Sequence, residues 1–335
     1  MLFRSAPIAL AELVRLGALP GELDSYSPLS GHPLLLLDLD SELPGDADVP
    51  ALVAVLATLP CPVLGLGAHA ARLPQELLAA LDVVLDNAGD LPPVLRNIQA
   101  HPLAAATLVQ LLRHNATAGI DAGLLAESLA FGLLQASADF RGYLATQPAP
   151  QSCGDADPLK LERIGAQLNI TLTHAHRRNA WSATMRDAFY QALLLLASDP
   201  GIAKAVVRGD GDCFCSGGDL SEFGLAVDAA QAHLVRASRP VARLLAQLAP
   251  RLEFHVHRAC IGSGIELPAF AGRLVASADT YFQLPEIGMG LIPGAGGTVS
   301  VTRRIGRPRT AWLALSGKRI KAAQALAWGL IDAII

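Results

Sequence analysis

The chain has 335 residues and a net charge of −4; 52% of its residues are hydrophobic, 17% charged and 5% aromatic. So much aliphatic content over this length fills one or two sizeable cores and excludes a disordered or solvating protein. No uninterrupted apolar run approaches the roughly 18 residues of a membrane span, and the low charge fraction points to apolar surface covered by partner subunits.

The N-terminal "MLFRSAPIALAELVRLGALPG" resembles a signal peptide at first glance, but Glu12 and Arg15 interrupt it, and an amphipathic helix is expected instead. "HPLLLLDLD" (32–40) predicts a buried strand, and "DVPALVAVLATL" a helix with Asp48 at its N-cap and Pro50 in its first turn. "CPVLGLGA" predicts a second strand and "PQELLAALDVVLD" a second helix. From Leu91 to Gln147 the period is helical throughout. Asp38 and Asp40 are ordinary acids at a strand end, and residues 1–150 carry no site motif.

"TQPAPQSCGDADP" (146–158) has the prolines and polar residues of a linker, so a first domain is expected over 1–150 and a second over 151–335. Charge divides at the same place. Residues 1–150 hold 6 Lys+Arg against 15 Asp+Glu, and residues 151–335 hold 20 against 15, seven of these cations between Arg303 and Lys321. The basic stretch suits a solvated helical face or attraction of a small anion. It is modest and almost free of interleaved aromatics, which argues against nucleic acid as a partner. The five cysteines (Cys61, Cys153, Cys213, Cys215, Cys260) are sparse and odd in number, as in a cytoplasmic protein with reduced thiols.

In the second half, "AQLNITLTH" alternates as a strand and "SATMRDAFYQALLLLASD" is a helix capped by Ser182. "AKAVVRGDG" is a strand running into a Gly-rich loop, and "AAQAHLVRASRPVARLLAQL" is a helix kinked or split at Pro240. "EFHVHRA" and "RLVASAD" are strands, the last helices lie in "AGGTVSVTRRIG", "PRTAWLALSG" and "AAQALAWG", and "LIDAII" is a short final strand. Strands alternating with helices define an α/β layered fold.

Two segments carry chemistry. "GDGDCFCSGGDLSEFG" (209–224) and "HVHRACIGSGIELPAF" (255–270) each run from a strand through glycines into a helix, a turn that bares backbone N–H groups. Two such turns on adjacent strands can aim two N–H groups at one point, as an oxyanion hole does. The second holds an acid in apolar company, Glu266, and twenty residues on the pattern returns with Glu286 in "LPEIGMGLIPGAGG". Burial raises the pKa of such carboxyls towards the range useful for moving protons. The histidine pairs "HAH" (174–176) and "HVH" (255–257) lack a neighbouring carboxylate cluster, so no metal site is expected. "GMGLIPG" (288–294) lacks the G-x-G-x-x-G of a dinucleotide loop.

The stretch from about Leu159 to Ile335 resembles the enoyl-CoA hydratase/isomerase, or crotonase, superfamily. "LNITLTHAHRRNAWSATM", "CFCSGGDL", "ACIGSGIEL" and "FQLPEIGMGLIPGAGGT" match four of its segments in order. The resemblance implies a crotonase-like (ββα-repeat) layered domain behind an extra N-terminal α/β-helical domain. It implies backbone N–H groups of Gly218 and Ser263 on a thioester oxygen, with Glu266 and Glu286 holding one water and moving protons at the adjoining carbons. Ser216, Gly217, Gly218, Asp219, Leu220 and Ser221 would line the coenzyme A arm, and Arg177 and Arg178 would meet its phosphates. It further implies an acyl-CoA substrate, no cofactor and a homotrimer or homohexamer. Two glutamates suit hydration of a 2-enoyl-CoA. Double-bond isomerisation, cofactor-free oxygenation and a non-catalytic acyl-CoA-binding subunit are the alternatives. Ser263 stands where the hydratases usually have glycine. The family pattern carries, beyond "GLIDAII", a helical segment over the acyl pocket; here helices of the first half would replace it, or the pocket would be open.

Overall fold

The computed structural model describes residues 6–335 except 20, 44, 46, 47, 148–156 and 227. Most of the expected linker, with Cys153, therefore lies outside the described residues. The first half comprises β1 (Ile8–Ala9), α1 (Leu10–Gly17), β2 (Leu35–Asp38), α2 (Val49–Thr58), β3 (Val63–Leu66), α3 (Gln75–Ala80) and β4 (Val83–Leu85). Helices α4 (Leu91–Ala100), α5 (Pro102–Asn115), α6 (Ile120–Gln135) and α7 (Ala138–Ala145) follow. The second half begins with β5 (Leu159–Ile164), β6 (Gln167–Leu172), α8 (Ala183–Ser198), β7 (Lys204–Gly209), α9 (Ala229–Ser238) and α10 (Val241–Leu248). It continues with β8 (Leu252–Val256), β9 (Ala259–Ile261), α11 (Ser263–Glu266), β10 (Arg273–Ala276) and β11 (Tyr281–Gln283). It closes with α12 (Gly297–Ile305), α13 (Arg307–Ser316), β12 (Ile320–Lys321), α14 (Ala322–Trp328) and β13 (Ala333–Ile334).

Strands β1 to β4 form a parallel four-stranded sheet in sequence order. The leucine run of β2 is apolar at every position because both faces are covered. Leu35 and Leu37 face one core with Leu10, Leu52 and Leu77, while Leu34 and Leu36 face the other. That second core runs on without interruption through α5 into Leu168, Phe189 and Phe254 of the second half. The "DVVL" run predicted as the end of a helix is strand β4 instead. Leu81 leaves the helix in extended conformation, and the β-branched Val83 and Val84 pair with Leu64 and Gly65.

In the second half a six-stranded sheet has the order β13-β10-β8-β7-β6-β5, and a three-stranded sheet the order β12-β11-β9. Each successive strand pair splits between them: β8 joins the large sheet and β9 the small one, then β10 the large and β11 the small, each pair followed by a helix. This is a ββα repeat in a crotonase-like α/β layered fold. Ser182 caps α8 by accepting from the Met185 N–H, and Pro240 separates α9 from α10 as its missing N–H requires. Among the described residues, no helix is long and apolar enough to cross a membrane.

A buried ion cluster ties the halves. Asp82, fully buried ahead of β4, accepts from the Val63 N–H at 2.8 Å, from Arg113 Nε of α5 at 2.9 Å and from Arg307 Nη1 of α13 at 2.6 Å. Removing its charge leaves two largely buried guanidinium groups without their carboxylate. Asp82→Asn should cost about 3–5 kcal/mol of unfolding free energy in a urea titration; a midpoint equal to wild type would deny the cluster that role.

Candidate active site

The site forms where the two Gly-rich turns abut. Cys215 donates its N–H to Ala259 O and accepts from the Ile261 N–H, both at 3.1 Å, so the first turn runs along β9. The buried Asn179 stitches the same loop from inside, its amide donating to Asp210 O at 2.9 Å and Cys213 O at 3.1 Å. Gly217 has φ +103°, and a Cβ there would lie 3.2 Å from Ile261 O. Gly262 has φ +51°, and a Cβ there would lie 3.8 Å from Gly217 Cα. Both positions need glycine for conformation and for close approach. Ser263 opens α11, so its N–H has no partner within that helix. Its side chain is buried, with Oγ 3.9 Å from Cys215 Sγ.

Both sequence-flagged acids reach this junction. A methyl group on Gly262 would sit 2.7 Å from Glu286 Oε1 and 3.8 Å from Glu266 Oε1. Their residues are only 7% and 2% exposed. Glu266 is anchored: its Oε2 accepts from the Ala295 N–H at 2.7 Å and the Gly297 N–H at 2.9 Å, at the start of α12. Glu286 Oε2 is buried and has no hydrogen-bond partner among the described residues. Burial is the largest cause of the upward pKa shift in each. It carries Glu286 from the ordinary 4.5 to about 8 and Glu266 well above 4.5, and for Glu266 the neighbouring Glu286 and Glu127 carboxylates add to it.

Glu127, which the sequence reading passed over, is a third acid here. It lies on α6, is 2% exposed, and accepts from the Gly296 N–H at 2.6 Å, the Thr298 N–H at 3.0 Å and the Thr298 Oγ1 at 2.6 Å. Burial raises its pKa to about 7 against the lowering effect of those bonds. The rule that flagged Glu266 was available: in "GLLAESLAFGLLQ", Glu127 shares a helical face with Gly123, Phe131 and Leu134, all buried.

The acids line a cavity of about 760 Å³. Ser216, Gly217, Gly218, Leu220 and Ser263 line it too; Asp219, Ser221, Arg177 and Arg178 do not. Asp219 instead accepts from the Ser221 N–H and Oγ and pairs with Arg177 at 3.1 Å. Residues of α6, α9 and α10, such as Phe131, Arg236 and Val241, also line it, as does Tyr143 of α7. Helices α6 and α7 of the first half thus contribute to its wall. Among the described residues no cluster of three or more His, Cys, Asp or Glu could hold a metal.

The ββα layering and the paired Gly-rich turns define a crotonase-class α/β protein. The chain belongs to the enoyl-CoA hydratase/isomerase family, whose model matches residues 164–335. It is 33% identical to the 2,3-dehydroadipyl-CoA hydratase of Escherichia coli over 49% of this chain and 64% of that protein. It is 28% identical to the mevalonyl-coenzyme A hydratase sidH of Aspergillus fumigatus over 50% of this chain and 62% of that protein. The chain thus spans less than two thirds of the length of these relatives. A crystal structure described as an enoyl-CoA hydratase/isomerase from Mycobacterium abscessus shares 28% identity and a TM-score of 0.50, covering 53% of this chain and 70% of the other.

Carboxyls with raised pKa values bind protons more tightly folded than unfolded, so between pH 4.5 and about 8 the folded state loses stability as pH rises. Glu286→Gln removes that penalty. Its Tm should exceed wild type by about 2 °C or more at pH 9 and match it near pH 5 in paired calorimetric scans. An equal Tm at pH 9 would mean that Glu286 is not held in a desolvated site.

Proposed function

We propose that the protein adds water across the double bond of a 2-enoyl-CoA thioester, giving the 3-hydroxyacyl-CoA. The observation that carries this is the meeting of Glu266 and Glu286 beside Gly262, where the two Gly-rich turns touch. The thioester oxygen accepts from the N–H groups of Gly218 and Ser263. One water sits between the acids. Two desolvated carboxyls this close share a proton at neutral pH, because a second ionisation would place like charges side by side. The ionised member takes a proton from the water as its oxygen bonds to C3. The C2=C3 electron pair moves onto the thioester oxygen as an enolate, and the protonated member then delivers its proton to C2 as the carbonyl re-forms. Each N–H on the developing charge contributes about 2.7–4 kcal/mol by precedent.

The hydratase names of both relatives support the same class of reaction. In this proposal Ser216 to Ser221 flank the coenzyme arm. Arg178 meets its phosphates, as does Arg177 if it exchanges Asp219 for them. The functional division falls near residue 150, with the sheet of the first half as an accessory layer and helices α6 and α7 serving the acyl pocket. Buried free thiols at Cys61, Cys213, Cys215 and Cys260 support a cytoplasmic setting. Leu125, Leu129 and Leu133 recur every fourth residue along α6 and are 53%, 52% and 65% exposed, which supports copies meeting there as a trimer or hexamer. Sedimentation should give an oligomer that Leu129→Asp dissociates; a monomeric wild type would remove this part of the proposal.

With crotonyl-CoA, loss of the enoyl absorbance should be catalysed by wild type, and kcat should fall by about 10²–10⁴-fold in both Glu266→Gln and Glu286→Gln. Activity surviving in Glu266→Gln, with a shifted double bond among the products, would turn the assignment to single-acid isomerisation. Coenzyme A binding without turnover of any acyl thioester would make the protein a binding subunit.

A further inference from the structure

Glu127 comes from the part of the chain outside the family match, yet it grips the turn that holds Glu266. Four consecutive amides at the start of α12 are divided between two carboxylates. Ala295 and Gly297 donate to Glu266, and Gly296 and Thr298 donate to Glu127. The two acids thus share one turn, each holding alternate amides. The Thr298 hydroxyl, which also accepts from Asn115 Nδ2 of α5 at 3.0 Å, gives Glu127 a third bond. We infer that Glu127 is a positioning residue for the proton-transfer pair: it fixes the 295–298 turn that orients Glu266, and it places a third carboxyl in the cavity that Glu266 and Glu286 line. The inference deepens the proposed hydratase reading and rests on it for its kinetic part.

The geometry gives Glu127 both roles. Its oxygens fix the two amides that Glu266 does not use, so loss of one carboxylate loosens the seat of the other. Its negative charge is among the causes raising the pKa of both partner acids. The groups around it are Glu266 of α11, Glu286 in the 286–289 turn, Arg236 and His233 of α9, and Arg243 of α10, which bonds Asp121. On α12, Arg303 donates to Ala118 O, and on α7 Asp139 pairs with His101. Arg236 is drawn electrostatically to Glu127 itself, and its own bonds go to Ser128 Oγ, Ser128 O and Gln135 Oε1 on α6. The net push of Glu127 on its two carboxyl neighbours is therefore upward, and removing its charge lets Glu266 ionise at lower pH.

The test uses the full-length protein carrying ¹³C-labelled glutamate carboxyls, with the Glu266 signal assigned by its loss in Glu266→Gln. In Glu127→Gln the Glu266 titration should move down by about half a unit or more. With crotonyl-CoA, kcat should fall about tenfold to a hundredfold with KM little changed, and the acid limb of the pH–rate profile should move the same way. Glu127→Asp keeps the charge but draws it back by one methylene, so it should lose rate while retaining most of the upward push on Glu266. A rate loss in Glu127→Gln with the Glu266 titration and the pH profile unmoved would reduce Glu127 to a structural bond, and wild-type behaviour on all counts would remove it from the site. If wild type hydrates no enoyl thioester, the proposed function falls, and the carboxyl titration alone still decides this inference.

Discussion

Four backbone amides, Ala295 to Thr298, are the fixed point around which this molecule is arranged. Gly296, Gly297 and Thr298 are donors that α12 leaves unpaired at its N-terminus and Ala295 lies just ahead of its cap; here water is replaced by two carboxylates from distant parts of the sequence. Neither side could be buried alone. Amides without acceptors and acids without donors would each lose hydration that an aliphatic interior does not replace. Brought together, they let the end of α11, the start of α12 and the middle of α6 pack with these polar groups inside, along the cavity that Glu127, Glu266, Ala295 and Gly296 line.

The cover illustrates how little chain order matters to a site. Phe131 of α6 packs so closely on the 294–297 turn that a Cβ on Gly294 would lie 2.3 Å from its ring, and the Arg236 guanidinium of α9 lies over that ring at 4.6 Å. Lid and floor are thus joined through one aromatic residue. The hydrophobic core is likewise continuous from the small sheet through α5 to the large one. The acidic first half and the basic second half meet through the Asp82 cluster, where a carboxylate from one holds an arginine from the other. The uneven charge of the sequence therefore has an internal use: part of it is spent between the halves, away from any external partner.

Legibility in the sequence followed the range of the interaction. Glu266 and Glu286 stood out because a lone acid among Ile, Leu, Pro and Gly is a local anomaly. The turns stood out because strand, glycines and helix are contiguous, and the leucine run of β2 announced burial on both faces. Strand β4 was obscured because "QELLAALDVVL" keeps a helical apolar period through a break set by the extended Leu81. Strand β5 was missed because it pairs only at one edge of its sheet and its side chains are mostly exposed, leaving no alternation to read. Glu127 had the same local signature as Glu266, but its donors lie 169 and 171 residues away. Nothing within a window of helical period indicates such partners, and a helix with no motif offers no second clue.

Three carboxyls around one cavity, with the Arg236 guanidinium drawn electrostatically to one of them, make a costly arrangement whose cost has a definite form. If all three acids were ionised, each would repel the others through a medium that screens poorly. The cavity relieves this by holding protons, which is why all three pKa values are displaced upward and why burial leads the causes in each case. A carboxyl with its pKa near neutrality can both give and accept a proton there, whereas an ordinary surface glutamate at the same pH can only accept. The desolvation that weakens the fold above neutral pH is thus the property that equips the site for proton transfer, and a variant relieved of it would gain stability by losing that capacity.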